Sequence, residues 1–293
     1  MALPIAIDSF SRFERLTFVT RRLARAGLGG EHRSRRPSPS TEFVDYRPYQ
    51  PGDDFRHVDW NAYGRLGTLQ LRVTEGREHL NLVLVLDCSS SMDCGMPSKL
   101  GFSAQLVSAL GYVGMVRGVS VRIVCLTNHP PAHGFGPFGR RGRLPQLVAE
   151  LSKIAPAGIV ELNDSLATCL PSGVSQPLVV LVSDLLTPAG VSAGLEALQA
   201  RQADVVVLHV LSPDELEPRL AGQIELIDAE TDEKLELGVS LQTLAAYRAR
   251  LADWLGGRQS DCTQRGVRYV RVPTDRPLAS VMLGDLRRGG VLK

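Results

Sequence analysis

The sequence predicts an α/β protein built on a doubly wound, mostly parallel sheet of Rossmann-like type. Three observations carry that prediction. Residues 82–86 (Leu-Val-Leu-Val-Leu) are continuously apolar, as a strand buried on both faces requires, and the run stops at Asp87. Residues 178–182 (Leu-Val-Val-Leu-Val) repeat the pattern and stop at Ser183-Asp184. From residue 81 onward such runs alternate with helix-like segments, leaving the dozen or so residues that a parallel crossover needs.

Ahead of the sheet, residues 8–28 place Phe10, Phe13, Leu16, Leu23 and Leu28 at roughly helical spacing, and Gly27, Gly29 and Gly30 end that helix. Arg33, Arg35 and Arg36 follow in a polar stretch with Pro37 and Pro39, a loop whose basic cluster is read as solvated. Residues 42–73 interleave aromatic and charged side chains with turn formers at Pro48, Pro51 and Gly52. That mixture is too polar for a core helix and too rich in rings for a linker. It is expected to form an ordered irregular arm anchored by Tyr46, Tyr49, Phe55 and Trp60. Arg47 and Arg56 are expected to pair with Asp53, Asp54 or Asp59, and Trp60 is read as a packing residue. Residues 69–73 alternate and predict a strand leading toward the main sheet. The chain thus divides into an N-terminal helix and arm, 1–76, packed on an α/β domain, 77–293.

Within that domain a helix is expected at about 98–116, with Gly111 and Gly114 allowing close packing on the sheet. A strand at 119–126 and a Pro/Gly-rich loop or short edge hairpin at 129–142 follow. Helices are expected at 144–154 and from about 163, the latter capped by Asn163. Next come the strand 178–182, a helix at 190–201 and a strand at 204–211. A β-hairpin insertion near 224–237 turns at 230–233. A helix at 240–257, a strand at 267–272 and a helical tail from about 277 complete the chain.

Composition excludes several functions. Apolar residues are 44% of 293, enough core for one large α/β domain and an extension. A formal charge of +2 gives no overall attraction to nucleic acid. In the arm, Asp45, Asp53, Asp54 and Asp59 offset the arginines, so no nucleic-acid role is expected. The five cysteines (Cys88, Cys94, Cys125, Cys169, Cys262) lack Cys-x-x-Cys spacing and form neither a disulfide framework nor a zinc pattern. His129 and His133 are four apart, but Pro130 and Pro131 preclude the helix that would align them. There is no basic-then-apolar leader at Met1 and no apolar run of about 18 residues, so a soluble, reduced, cytoplasmic protein without a transmembrane segment is expected.

The chemistry-bearing stretch is Asp87-Cys-Ser89-Ser-Ser91. Ligand-binding residues of open α/β sheets gather beyond the carboxyl ends of the strands, at the point where the strand order reverses. Asp87, Ser89 and Ser91 offer hard oxygen donors suited to Mg2+ or Mn2+. Asp184, ending a second buried strand, would add a carboxylate from the far side of the crevice. The bland alternative is that Asp87 and Ser89 only close a turn and cap a helix.

Asp87-Cys-Ser89-Ser-Ser91-Met92 with Ser183-Asp184 resembles the metal-ion-dependent adhesion site of von Willebrand factor type A domains. Upstream, residues 30–36 (Gly-Glu-His-Arg-Ser-Arg-Arg) and 41–60 (Thr-Glu-Phe-Val-Asp-Tyr-Arg-Pro-Tyr-Gln-Pro-Gly-Asp-Asp-Phe-Arg-His-Val-Asp-Trp) resemble the bacterial domain-of-unknown-function 58 family, from about residue 25 to 255. The arm residues matching its motif are Arg47, Tyr49, Gly52, Asp53, Asp54, Asp59 and Trp60. The resemblance implies a von Willebrand factor A-like fold and a non-catalytic adaptor of a MoxR-type AAA+ ATPase, acting in maturation or remodelling of a client protein. It also implies a metal held by Asp87, Ser89, Ser91 and Asp184. Two departures stand out. Similar proteins carry Gly-Gly-Thr-Asp where this chain has Gly158-Ile-Val160-Glu161, so Val160 replaces a threonine ligand, with Glu161 or Asp164 as possible substitutes. This chain also lacks the transmembrane helices that many relatives carry before the basic arm.

Two rival chemistries are weaker. A magnesium-dependent hydrolase or phosphotransferase with Asp87 as nucleophile would want a second carboxylate two residues on, where Ser89 stands, and no phosphate-cradling glycine loop with lysine is present. Thiol chemistry at Cys88 or Cys94 lacks a general base or resolving cysteine at a recognisable spacing.

Overall fold

The computed structural model describes residues 9–20, 41–50, 53, 55, 58–76, 80–128, 132–231 and 233–293. The chain forms two compact units, one of Met1–Ala24 and Leu80–Lys293, the other of Arg25–His79. The N-terminal segment therefore belongs with the α/β unit, and the division falls elsewhere than at residue 76.

The α/β unit is organised by a six-stranded sheet of β3 (Asn81–Asp87), β4 (Ser120–Leu126), β5 (Ala132–Phe138), β6 (Leu178–Ser183), β7 (Asp204–Leu211) and β10 (Arg268–Pro273), in the spatial order β10-β7-β6-β3-β4-β5. All neighbours are parallel except the edge strand β5, which runs antiparallel to β4. This is the doubly wound sheet that the two apolar runs predict. Pleating sends alternate residues of β3 to opposite faces. Leu82, Leu84 and Leu86 join one core cluster, and Val83 and Val85 join the other. Both faces are covered, so β3 and β6 need no polar face and read as unbroken apolar runs.

One face is covered by the long helix α2 (Lys99–Val116), with α3 (Leu144–Leu151) beside it. A Cβ on Gly114 would stand 2.7 Å from Val121 Cγ2 and 3.1 Å from Leu82 Cδ2, so the missing side chain is what lets α2 lie close on the sheet. The opposite face carries α4 (Leu162–Thr168), α5 (Ser192–Ala200) and Cys262 of α7 (Leu241–Gln264). The N-cap of α4 is Glu161, not Asn163. Asn163 instead ties the first turn of α4 to the start of α5, donating to the Gly190 carbonyl at 3.0 Å and accepting from the Gly194 amide at 2.8 Å.

The helix expected over 8–28 is not present in its described part. Phe10–Phe13 makes one 3-10 turn, and the chain then extends to pair Phe18 with Leu292 in an antiparallel bridge. Phe10, Phe13, Leu16 and Phe18 all enter the α2-side core. Tertiary burial and backbone pairing with the C-terminus override the helical spacing. Between β7 and α7 lie a one-turn helix, α6 (Pro213–Leu216), and the antiparallel hairpin of β8 (Gly222–Ile227) and β9 (Lys234–Val239). No helix among the described residues is long and apolar enough to cross a membrane.

The second unit is more regular than an irregular arm. Strand β1 (Thr41–Pro48) pairs antiparallel with β2 (Gln70–Gly76), so β2 closes a separate two-stranded sheet instead of joining the main one. Between them stands α1 (Trp60–Leu66), started by Asp59, whose Oδ1 accepts from the Asn61 and Ala62 amides at 2.9 and 3.1 Å, and stopped by Gly67 at φ 66°.

Candidate functional site

Strands β3 and β6 are nearest neighbours, yet the chain leaves them in opposite directions: toward β4 from one, toward β7 from the other. The crevice beyond their carboxyl ends is the topological switch point of the sheet. Asp87 and Asp184 stand there, both buried. Asp87 Oδ1 accepts from the Ser89 amide at 2.9 Å, and Oδ2 accepts from the Ser183 hydroxyl at 2.6 Å. The bond from Ser183 ties the two strand ends together. The Ser89 and Ser91 hydroxyls lie 3.0 Å apart on the turn above. Burial first, and then the Asp184 charge, push the Asp87 carboxyl up to about 6, against the hydrogen bonds from Ser183 and Ser89.

Asp184 has a partner that the sequence reading does not supply. Its Oδ2 accepts from Lys99 Nζ at 2.7 Å, and its Oδ1 accepts from the Leu186 amide at 3.1 Å. Lys99 is 0% exposed and reaches Glu215 of α6 as well. Burial pulls the ammonium pKa down, but the Asp184 and Glu215 carboxylates outweigh it, so the net shift is upward. Glu215 is fixed in turn by a capping box: its Oε2 accepts from the Ser212 amide at 2.7 Å and its own amide donates to Ser212 Oγ at 3.2 Å. Gly95, at φ 91°, lets the loop after the serine turn approach Ser212, whose Cβ would lie 2.7 Å from a glycine Cβ. Lys99 and Glu215 are thus part of the site.

The strand-to-helix segment expected to carry a threonine does lie against the serine turn, with the Ser90 amide donating to the Gly158 carbonyl at 2.9 Å. Val160 itself is buried in the α4-side core. Glu161 and Asp164 are exposed, and Glu161 makes no side-chain cap bond at the start of α4. At the tip of the β8–β9 hairpin, burial first, and then the Asp184 and Asp228 charges, raise the pKa of Glu230.

Among the described residues, no group of three or more His, Cys, Asp and Glu is gathered to hold a metal ion. Any cation would therefore rest chiefly on hydroxyls. The Ser89 and Ser91 oxygens, with Asp87 behind them, fit one hard divalent ion that keeps several waters. Asp184 serves Lys99 first. Charge favours such an ion, because Asp184 and Glu215 share the one Lys99 ammonium and Asp87 beside Asp184 has none. The thiols fit no reactive role: the Cys125 thiol and burial raise the Cys88 pKa, and burial raises that of Cys94.

The family described as "Protein of unknown function DUF58" matches residues 45–254. The chain belongs to the DUF58 family. Uncharacterized proteins of Mycobacterium tuberculosis and Mycobacterium bovis are 28% identical to it over 284 residues, covering 90% of this chain and 85% of theirs. Among solved structures, BatB from Bacteroides thetaiotaomicron matches at 16% identity and a TM-score of 0.42, covering 72% of this chain and 98% of its own. An aerotolerance-related membrane protein from Bacteroides fragilis matches at 17% and 0.45 with the same coverage.

The arm motif of this DUF58 protein is in part structural. Asp59 caps α1 and accepts from the Tyr46 hydroxyl at 2.8 Å, Asp53 accepts from the Gln50 amide at 2.9 Å, and the Tyr49 amide donates to Leu69 at 2.9 Å. The anchors are a correction: Trp60 is 63% and Phe55 69% exposed, and Tyr46 is exposed as well. Trp60 contacts Tyr63 edge-on, with ring centroids 6.3 Å apart, instead of filling a core. Gly52, Asp54, Arg56, the Arg47 side chain and the basic cluster Arg33, Arg35 and Arg36 lie outside the described residues.

Proposed function

We propose that this DUF58 protein is a non-catalytic interaction module that takes an acidic side chain of a partner at the serine turn. In this reading the turn works with Mg2+ or Mn2+ held by Ser89 and Ser91 over Asp87, and the cation supplies the positive charge that a carboxylate seeks. The observation that carries the reading is the convergence of Asp87, Ser89, Ser91 and Asp184 on one switch-point crevice with carboxylates in excess over cations. Asp87 is a poor nucleophile, since both its oxygens accept hydrogen bonds and it is buried, which speaks against the hydrolase alternative.

The partner in this reading is a MoxR-type AAA+ ATPase, with the DUF58 protein as adaptor toward a client in the cytoplasm. Capture of a purified MoxR-type ATPase by the immobilised full chain tests it. Capture is expected in millimolar magnesium and is expected to vanish with Asp87→Ala or with Ser89→Ala/Ser91→Ala. Undiminished capture in excess chelator removes the cation from the reading, and no capture under any condition removes the ATPase. Turnover of a chromogenic phosphate ester that disappears in Asp87→Asn would restore the hydrolase.

A further inference from the structure

We propose that the free edge of β10 is a docking strip for an extended, acidic segment of a partner protein, which adds to the main sheet as a further strand beside 269–271. The proposal does not rest on the reading of the serine turn.

The backbone phase of β10 decides which of its groups are available. The Thr274 amide donates to the Leu211 carbonyl at 2.9 Å, continuing the parallel register in which Pro273 faces Leu211. Parallel pairing engages both backbone groups of every second residue, so Arg268, Val270 and Val272 turn theirs toward β7. The amides and carbonyls of Tyr269 and Arg271 therefore point away from the sheet. Pro273, which has no amide, stands in the same outward set, where an edge strand tolerates it. Among the described residues, no backbone hydrogen bond reaches Tyr269 or Arg271 from that side.

The exposed stretch is bounded. A groove of about 350 Å³ runs along it, lined by Gln259 of α7, by Tyr269, Val270 and Arg271, and by Asp285, Arg288 and Gly289. Its walls are the two layers that cover β10: Cys262 of α7 packs with Tyr269 on one face, and Val281, Met282 and Leu286 of the helical tail 278–288 pack with Val270 and Val272 on the other. At the start of β10 the chain closes in, the Arg268 guanidinium binding the carbonyls of Val19 and Gly290. Three residues at about 3.3 Å each leave a window of about 10 Å.

Charge selects the occupant. Arg271 is exposed and donates to Gln259 Oε1 at 2.9 Å; among the described residues it pairs with no carboxylate. On the opposite wall the single carboxylate of Asp285 is shared by Arg276 and Arg288. Three guanidiniums are thus balanced by one carboxylate. Successive side chains of an added strand point to opposite faces, so two adjacent acidic residues would reach Arg271 and Arg288 in turn. A second copy of this chain fits worse, because edge-to-edge pairing would set these arginines near their own counterparts.

Hydrogen exchange on the full chain, read residue by residue, tests the proposal with the capped peptide Thr-Val-Glu-Glu-Val-Thr as probe. In the free protein the Tyr269 and Arg271 amides are expected to exchange about a hundredfold faster than those of Val270 and Val272. With the peptide at about nine times its dissociation constant they are expected to slow about tenfold, since about one molecule in ten stays free. Arg271→Glu, at an exposed position, is expected to weaken binding about fivefold or more, attraction having become repulsion. The same peptide with lysines for glutamates is expected to prefer that variant. A peptide N-methylated at both glutamates keeps the charge, loses an edge bond and is expected to slow nothing. Protection of Tyr269 and Arg271 equal to that of Val270 in the free protein shows a closed edge and overturns the proposal. Protection that grows with protein concentration assigns the edge to a second copy and overturns it too. No slowing by millimolar acidic peptide reduces the arginines to guards against aggregation, and equal slowing by the N-methylated peptide reduces the contact to general charge attraction; either overturns strand addition. Equal binding by wild type and Arg271→Glu overturns the acidic partner.

Discussion

Replacing Asp87 by asparagine should make the protein more stable at neutral pH, although it removes a buried, hydrogen-bonded charge. The folded-state pKa of Asp87 is raised from 3.8 to about 6, so below 3.8 the group is protonated in both states and has no effect. Between 3.8 and 6 the unfolded chain ionises while the folded one does not, and stability falls as pH rises. Above 6 the full penalty applies, about 3 kcal/mol for the shift. Asparagine abolishes that penalty. It has a single acceptor oxygen, so one of the bonds from the Ser89 amide and the Ser183 hydroxyl is lost, costing about 1 kcal/mol. The expected net gain is about 2 kcal/mol at pH 7.5, turning into a small loss near pH 4.

The pH profile is the sharper test, because a second buried group acts in the opposite direction. Burial holds His209, whose Nδ1 lies 2.6 Å from the Tyr269 hydroxyl, down at about 4 from 6.5. Its folded pKa is depressed, so stability is lost as pH falls through that window, again by about 3 kcal/mol. In wild type the two slopes nearly cancel between pH 4 and 6. In Asp87→Asn the His209 slope stands alone, and stability should fall steeply with acid. Urea unfolding from pH 4 to 8, read by Trp254 fluorescence in a Trp60→Phe background, gives both quantities. A variant less stable than wild type at pH 7.5, or one with an equally flat profile, would refute the description of Asp87 as an unneutralised buried carboxylate.

Lys99→Met strips the ammonium from Asp184 and Glu215 and should cost about 3–5 kcal/mol at pH 7.5, less at pH 5; a urea midpoint within error of wild type would show that the ion pair does not hold the site. Magnesium at ten times its dissociation constant should stabilise wild type by about 1.4 kcal/mol and leave Asp87→Asn unchanged, read as thermal midpoints. Gly114→Ala should destabilise by about 1–3 kcal/mol through the contacts with Val121 and Leu82, whereas Gly256→Ala, with open space around it on α7, should stabilise by up to about 1 kcal/mol in the same denaturation assay. In the second unit Asp59→Ala should cost about 1–2 kcal/mol by removing the cap of α1, and exposed Trp60→Ala only about 0.5 kcal/mol, compared by limited proteolysis.

The central sheet was legible because its signal is local. A strand buried on both faces must be apolar throughout, and 82–86 and 178–182 satisfy that without tertiary information. The β8–β9 hairpin was legible from the alternating runs on either side of 230–233, whereas 129–142, read as a loop or short edge hairpin, holds the edge strand β5 paired with β4. The described part of 8–28 misled because Phe10 and Phe13, in one 3-10 turn, and Leu16 beyond it serve equally well as successive contacts in the α2-side core. In the arm, the mixture of rings and charges concealed a short helix whose boundaries were written plainly: Asp59 as cap and Gly67 as stop, with seven residues between them. The same rule applied at Ser212-Pro-Asp-Glu215 announces α6.

The site was half legible, for a reason of charge. Strand-terminal acids point outward from a known place in the fold, so Asp87 and Asp184 could be placed from sequence. Lys99 reaches Asp184 from α2 across 85 residues, and Glu215 of α6 reaches Lys99 across 116, which no spacing rule reports. A lysine in the first turn of a helix is ordinarily a solvated residue. Lys99 is instead enclosed, held by Asp184 at a strand end and by Glu215 of α6. Two carboxylates at a switch point cannot both stay ionised in a dry crevice without a positive charge. Protonation, a metal ion and a buried ammonium are the three ways to supply one. This chain uses the ammonium for Asp184 and leaves Asp87 without one, so burial and the Asp184 charge push the Asp87 carboxyl up, against the bonds from Ser183 and Ser89.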